Sequence, residues 1–330
     1  MSKYGKVDEK KLTTVLADLE KAYGQGSVYS IDSEHATQHI PRWSTGIEDL
    51  DEVLGGGMPY GRIIEIFGPE SSGKTSLAYH LMAQHDAAVD VPIEGTFDVE
   101  RAKAFGNRGG QLFVRRAEYG EQCIETILEV AKANLPIIVV DSVPHMKTRA
   151  EFEQPDVEKE GRRGRTAAML ADKLPKVVNT CERSGTTVVF INQLRDEMGA
   201  MMFGPKTHTP GGWALRHACS IRIQVNRMDW IKIPYKQIGI TAKVKAIGIT
   251  MRLKVVKSKV CNPLGECVLA MIFDRGFVSM DDVAEIRKEL MKQQNAKVQD
   301  IEELEDDEPV VVKKKKKKKK ATTIGERGRE

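Results

Sequence analysis

The chain has 330 residues, 41% of them hydrophobic and 30% charged, with a net charge of +4. That composition is ordinary for a globular protein and leaves room for one large α/β domain plus extensions. No apolar run approaches the ~18 residues of a membrane helix, residues 1–5 hold no hydrophobic signal core, and the five cysteines (Cys123, Cys181, Cys219, Cys261, Cys267) form no C-x-x-C pair, so a membrane span, a disulfide scaffold and a zinc site are all disfavoured and a cytoplasmic setting is expected.

The small net charge conceals opposed blocks. Seven of the nine residues 300–308 are acidic, and Lys313 to Lys320 are eight consecutive lysines. Bulk charge therefore says little about nucleic acid, and any DNA-binding surface must come from local clusters.

In chain order, Leu12, Val15, Leu16, Leu19 and Tyr23 recur at helical spacing until Gly24 and Gly26 stop them. A short strand at 27–31 and a polar linker at 32–39 follow. Such a helix packs on its own domain or leaves it as an arm docked on a neighbour, and periodicity does not choose. The expected division is an arm and linker at 1–39, a core at 40–280, and a short helix with a charged tail at 281–330.

Within the core, Gly68-Pro69-Glu70-Ser71-Ser72-Gly73-Lys74-Thr75 fits the pattern G-x-x-x-x-G-K-[ST] in full. An apolar strand at 62–67 precedes it. A helix at 75–84, with Leu77, Leu81 and Met82 on one side, follows. Glycines let backbone N–H groups close around a polyphosphate, and the helix N-terminus adds its dipole. Lys74 is placed to reach the β- and γ-phosphates and Thr75 to hold Mg²⁺, so ATP and Mg²⁺ are the expected cofactors.

Apolar runs at 63–67, 112–114, 137–140 and 188–191 alternate with helical segments at 120–133 and 166–183. That alternation predicts a mostly parallel sheet with helices on both faces. A β-rich stretch at 220–277 and a polar helix at 281–297 complete the chain; beyond lies a tail with too little apolar content to fold alone.

Asp141 ends the run at 137–140, where a carboxylate beside a phosphate loop holds the metal, here through water. Glu94 stands where a strand should end next to the site and is the candidate to orient or deprotonate water, with Asp98 and Glu100 as competitors. Gln193 ends another strand, where an amide can report the γ-phosphate to the loop that follows. That loop, 195–212, carries Arg195, Met202, Phe203, Gly204, Lys206, Gly211 and Gly212. Apolar wedges flanked by base on a glycine-rich loop suit contact with DNA bases and phosphates. Arg162, Arg163 and Arg165 form a second small basic loop.

Together these residues resemble the RecA recombinases, most nearly a bacteriophage version, over about residues 10–280. The resemblance rests on Leu19 to Ser27, Ser44-Thr45-Gly46, the phosphate loop, Val139-Val140-Asp141-Ser142, Phe190-Ile191-Asn192-Gln193, Met202-Phe203-Gly204, Thr209-Pro210-Gly211-Gly212 and Lys254-Val255-Val256-Lys257-Ser258-Lys259. The phosphate loop alone does not separate such a protein from a hexameric helicase; the Met-Phe-Gly and Lys-Val-Val-Lys-x-Lys segments do.

The resemblance implies a RecA-like P-loop ATPase core that filaments on single-stranded DNA and exchanges strands with a homologous duplex. A ring helicase and an ATP-gated scaffold with little turnover are the alternatives. It also implies that Glu94 is the catalytic glutamate and Gln193 the γ-phosphate sensor. Loops 153–165 and 196–209 would bind DNA. Lys257 and Lys259 would reach a neighbour's ATP as arginine fingers do, and Asp98, Arg101 and Phe273 would lie on the nucleotide's base side. Several positions depart from the bacterial pattern. Arg101 replaces an adenine-stacking tyrosine, His217 replaces an interface phenylalanine, residues 226–251 are longer than the bacterial hairpin, and the folded C-terminal domain is replaced by the short helix and tail. That tail is either a solvated extension or a tether for duplex phosphates.

Overall fold

The computed structural model describes residues 8–24, 28, 40–95, 97–153, 164–196, 207–234 and 244–293. The chain divides into two units, Met1–Ile231 with Ile247–Met280, and Lys232–Ala246 with Asp281–Glu330. Among its described residues the second unit holds strand residues 232–234 and 244–246 and a helix over 283–293.

Helix α1 (Glu9–Tyr23) starts where the Asp8 carboxylate accepts the N–H groups of Lys10 and Lys11 and ends at Gly24, whose φ of 97° suits glycine. Leu12, Val15 and Leu16 remain exposed along it. The expected strand at 27–31 and the linker at 32–39 lie outside the described residues, Val28 apart.

A small antiparallel pair, β1 (Arg42–Trp43) and β2 (Met58–Pro59), flanks α2 (Glu48–Val53). The main sheet then contains β3 (Ile63–Gly68), β4 (Ala88–Pro92), β5 (Leu112–Val114), β6 (Ile137–Asp141) and β7 (Thr187–Gln193). A separate two-stranded ribbon, β8 (Arg195–Asp196) with β9 (Thr207–His208), follows β7. The main sheet resumes with β10 (Ile221–Pro234), β11 (Val244–Ser258), β12 (Glu266–Ile272) and β13 (Gly276–Val278). Among the described residues its nine strands run in the order β13-β12-β11-β10-β3-β7-β6-β4-β5. From β10 to β5 neighbours are parallel, and β11, β12 and β13 add an antiparallel flank. The mostly parallel α/β architecture expected from the sequence is the one observed.

The central strands β3, β4, β6 and β7 are mostly apolar because both their faces are covered, whereas the edge strand β5 leaves Phe113 and Val114 exposed. Helices α3 (Lys74–Met82) and α4 (Val99–Ala104) join α2 over Ile64, Ile66, Ile137, Val139, Val189 and Ile191. Helices α5 (Gly120–Lys132), α7 (Arg165–Ser184) and α8 (Gly212–Ala218) cover Ile63, Ile138, Val140, Val188 and Phe190. A short α6 (Arg149–Glu153) precedes α7. Each such aliphatic side chain contributes about 1.5–3 kcal/mol on burial.

A buried carboxylate in β3 interrupts the apolar pattern. Glu65, fully buried in β3, is ion-paired with Arg222 of β10 and accepts a hydrogen bond from Asn192 Nδ2 of β7 at 2.8 Å. Asn192 Nδ2 also donates to the Pro210 carbonyl (2.8 Å), and Arg222 Nη2 to Thr209 Oγ1 (3.2 Å). This network joins the strand that carries the phosphate loop to the segment just after β9. Glu65→Ala leaves the half-buried Arg222 without its carboxylate, and the expected loss is about 3–5 kcal/mol. Urea unfolding measures it; a loss under ~1 kcal/mol would mean that water replaces the pair.

Candidate active site

Because β3, β7, β6 and β4 are parallel neighbours, their C-terminal ends fall along one edge of the sheet, where ligands of open α/β sheets bind. Gly68 pairs in register with Gln193, and Pro92 with Asp141. The phosphate loop leaves that edge between β3 and α3. Gly68 has no room for a side chain, since a Cβ there would meet the Val225 carbonyl oxygen at 2.0 Å. Gly73 opens α3 at φ 96°, and a Cβ there would lie 2.5 Å from Met251 Cε. The motif glycines are therefore demanded by packing as well as by ligand approach.

Inside the loop, the Lys74 ammonium donates to the carbonyls of Gly68 (3.1 Å) and Pro69 (2.6 Å). Burial lowers its pKa, while Asp141, Glu70 and Glu94 pull it back up. The Thr75 hydroxyl donates to Asp141 Oδ2 at 2.7 Å. Burial raises the Asp141 carboxyl, and the Thr75 hydrogen bond is the largest opposing influence. Behind this pair, burial and the charge of Asp141 push Asp90 up to about 8, so it is largely protonated near neutrality.

The donor set fits a polyphosphate with a hard cation. The buried Ser72 hydroxyl has no protein partner, as expected of a group that meets a ligand or water. Among the described residues no cluster of three or more His, Cys, Asp or Glu could hold a metal. Thr75 and Asp141 would be its protein contacts, with phosphate and water supplying the rest, the usual arrangement for Mg²⁺.

Glu94 lies just past β4. The N–H groups of Ile93 (2.7 Å) and Glu94 (3.4 Å) both donate to the Asp141 carbonyl, which ties Glu94 to the end of β6. Its carboxylate is 3.9 Å from His145 Nδ1. The competitors are engaged differently. Asp98 Oδ1 accepts the Arg101 N–H (2.9 Å) and caps α4, and Glu100 stands exposed in the first turn of that helix. Gln193 sits beside the loop's start, with Leu194 N–H donating to the Gly68 carbonyl at 3.4 Å.

Next to Ser71 and Gly73 opens a cavity of about 450 Å³ lined by Asp98, Arg101 and Phe273, three residues the resemblance links to nucleotide, and by Trp230, which it does not. Glu70 and Thr75 stand in the same loop, and Pro69 gives its carbonyl to Lys74.

The expected DNA contacts are only partly within view. Arg162, Arg163, Met202, Phe203, Gly204 and Lys206 lie outside the described residues. Arg195 is exposed on the β8–β9 ribbon, opposite His208, and Arg165 opens α7. Gly211 is buried, and a Cβ there would meet Leu215 at 2.9 Å; at Gly212 one would meet Ala167 Cβ at 2.9 Å. Both therefore have a packing reason to be glycine. Lys257 and Lys259 donate to the last carbonyls of α8, Lys257 to Arg216 and His217 and Lys259 to His217 at 2.7 Å. Within one chain they close that helix end rather than the phosphate loop.

A glycine loop at the end of a buried parallel strand, a lysine inside it, and a hydroxyl–carboxylate pair at its mouth define a P-loop nucleoside triphosphatase. The model of the RecA N-terminal domain family matches residues 10–278. Protein RecA of Mycobacterium ulcerans (strain Agy99) is 38% identical over 274 residues, 81% of this chain and 75% of that protein. Protein RecA of Clostridium perfringens (strain 13 / Type A) is 36% identical over 289 residues, 85% of this chain and 78% of that protein. Protein RecA of Rubrobacter xylanophilus (strain DSM 9941 / JCM 11954 / NBRC 16129 / PRD-1) is 36% identical over 273 residues, 81% and 76% of the two chains. The chain belongs to the RecA family and is a DNA-dependent ATPase of recombination and repair. No described helix is long and apolar enough to cross a membrane.

Proposed function

We propose that this chain binds ATP with Mg²⁺, assembles as a helical filament on single-stranded DNA, and exchanges that strand with a homologous duplex. Its setting would be the cytosol of a bacterium or of a phage-infected host. The observation that carries the nucleotide half is the contact of Thr75 with Asp141 beside a buried Lys74 and a strand-end Glu94. Bound Mg²⁺ would supply positive charge at the phosphates, held by Thr75 directly and by Asp141 through water. Lys74 exchanges its loop carbonyls for phosphate oxygens. Glu94 orients the attacking water and takes its proton.

Gln193 senses the γ-phosphate and leads directly into the β8–β9 ribbon and the loop it supports. Lys257 and Lys259 act on a neighbouring subunit's nucleotide, supplying charge in trans. Residues 1–39 serve as the oligomerisation arm, 40–280 as the ATPase and DNA-binding core, and 281–330 as the helical and charged tail. Arg162, Arg163 and Arg165 form one DNA-contacting loop. Arg195, Met202, Phe203, Gly204, Lys206, Gly211 and Gly212 belong to the other.

Phe203→Ala is expected to weaken single-strand binding by ~1–3 kcal/mol, the worth of one stacked or wedged aromatic. Fluorescence anisotropy with a labelled oligonucleotide reads this, and unchanged affinity in a folded variant would remove Phe203 from the interface. The nucleotide and DNA halves are tested together by ATP hydrolysis with and without single-stranded DNA. Turnover indifferent to DNA would contradict the proposed coupling.

A further inference from the structure

The cavity beside the phosphate loop has a wall that the phosphate chemistry leaves unused. Trp230 of β10 faces it together with Phe273, just past β12, and the two rings meet edge to face at 6.4 Å and 77°. Trp230 keeps 38% of its surface exposed. Arg227, on the same strand, lies 4.4 Å over the Trp230 ring, and its Nη1 donates to the Ser71 carbonyl at 3.3 Å. One guanidinium thus joins an aromatic wall to the phosphate loop.

Arg101, at the position where the resemblance expects an aromatic base platform, is otherwise engaged. Its Nη2 donates to Ser76 Oγ of α3 at 2.8 Å, which ties the guanidinium to that helix. The aromatic surface that remains at the cavity is that of Trp230 and Phe273. A planar π-system partly exposed in a cavity next to a triphosphate loop is the surface on which a nucleobase stacks.

We propose that Trp230 is the stacking platform for the base of the nucleoside triphosphate, and that Arg227 holds it in register with the phosphate loop at Ser71. Arg227 covers one face of the indole, and the base takes the other. This rests on the reading of the loop as the ATP site, and extends it to a specificity-determining residue on β10.

The test uses the full-length protein and two ligands, ATP and inorganic tripolyphosphate, titrated calorimetrically. Trp230→Ala is expected to weaken ATP about ten-fold or more while changing tripolyphosphate by less than about two-fold, because only the stacked base is lost. Arg227→Ala is expected to weaken ATP in the same direction by a smaller factor. Trp230→Phe should keep most of the ATP affinity but lose the ATP-induced change in tryptophan emission, since the other two tryptophans are the buried Trp43 and Trp213 on α8. Equal weakening of both ligands in Trp230→Ala would overturn the proposal, because Trp230 would then only support the loop. So would an undiminished emission change in Trp230→Phe, which also decides the matter should the alanine variant fail to fold. Wild-type protein that binds neither ligand would instead sink the ATP reading itself, and this inference with it.

Discussion

Lys74→Ala is expected to abolish nucleotide binding, whereas Glu94→Gln is expected to bind nucleotide and turn over ~10²-fold more slowly or worse. The two residues stand in different relations to the loop. The Lys74 ammonium is inside it, on the carbonyls of Gly68 and Pro69, so its removal takes away the charge around which the loop would close on phosphate. Glu94 lies outside it, positioned by backbone hydrogen bonds to the Asp141 carbonyl that a glutamine keeps. Its substitution should therefore remove a proton acceptor without disturbing the fold or the phosphate clamp. Calorimetry with a non-hydrolysable analogue and a phosphate-release assay separate the two effects. Near-normal turnover in Glu94→Gln would pass the role to Glu100 or Asp98, although Asp98 is occupied as the cap of α4.

Deleting residues 1–33 is expected to leave a folded, ATP-binding monomer that no longer forms filaments. Leu12, Val15 and Leu16 are exposed on one stripe of α1. A partner that buries each of them contributes about 1.5–3 kcal/mol per side chain at every junction. In a polymer that gain recurs at each subunit, so its loss should be felt as loss of assembly rather than of fold. Light scattering and electron microscopy with single-stranded DNA and a non-hydrolysable analogue read the outcome. Filaments that persist would show that the stripe is not the assembly contact, and rings would favour the helicase-like alternative.

The phosphate loop was legible because its chemistry is local: the fixed positions, the strand before it and the helix after it all lie within one short stretch. Asp141, Glu94 and Gln193 were legible for a second reason. They end apolar runs, and parallel strands bring such ends to one edge, so position along each strand implied proximity in space. The sheet's two buried faces explain why Ile137 to Val140 showed no polar alternation, and why that run still read as a strand.

What stayed hidden was pairing between distant segments. Trp230 sits in a long strand whose pattern does not tell which face meets Phe273, and its contact with Arg227, three residues back on the same strand, is one that regular alternation would not place on one face. Glu65 stands inside an apolar run, and only the fold brings Arg222 and Asn192 against it. Arg101 stands where the resemblance expects an adenine-stacking tyrosine, but nothing local showed that its guanidinium would turn to Ser76. For Lys257 and Lys259 the resemblance implied a reach to a neighbour's ATP; their carbonyl partners within the chain, at the end of α8, depend on the β11–α8 juxtaposition.

The most direct test of recombinase activity is strand exchange between circular single-stranded DNA and a homologous linear duplex, with and without ATP. Joint molecules and nicked circular product should form with ATP and homology, fail to form with heterologous duplex, and disappear in Lys74→Ala. Protein that hydrolyses ATP in response to DNA yet yields no homology-dependent product would contradict strand exchange as the function of this chain.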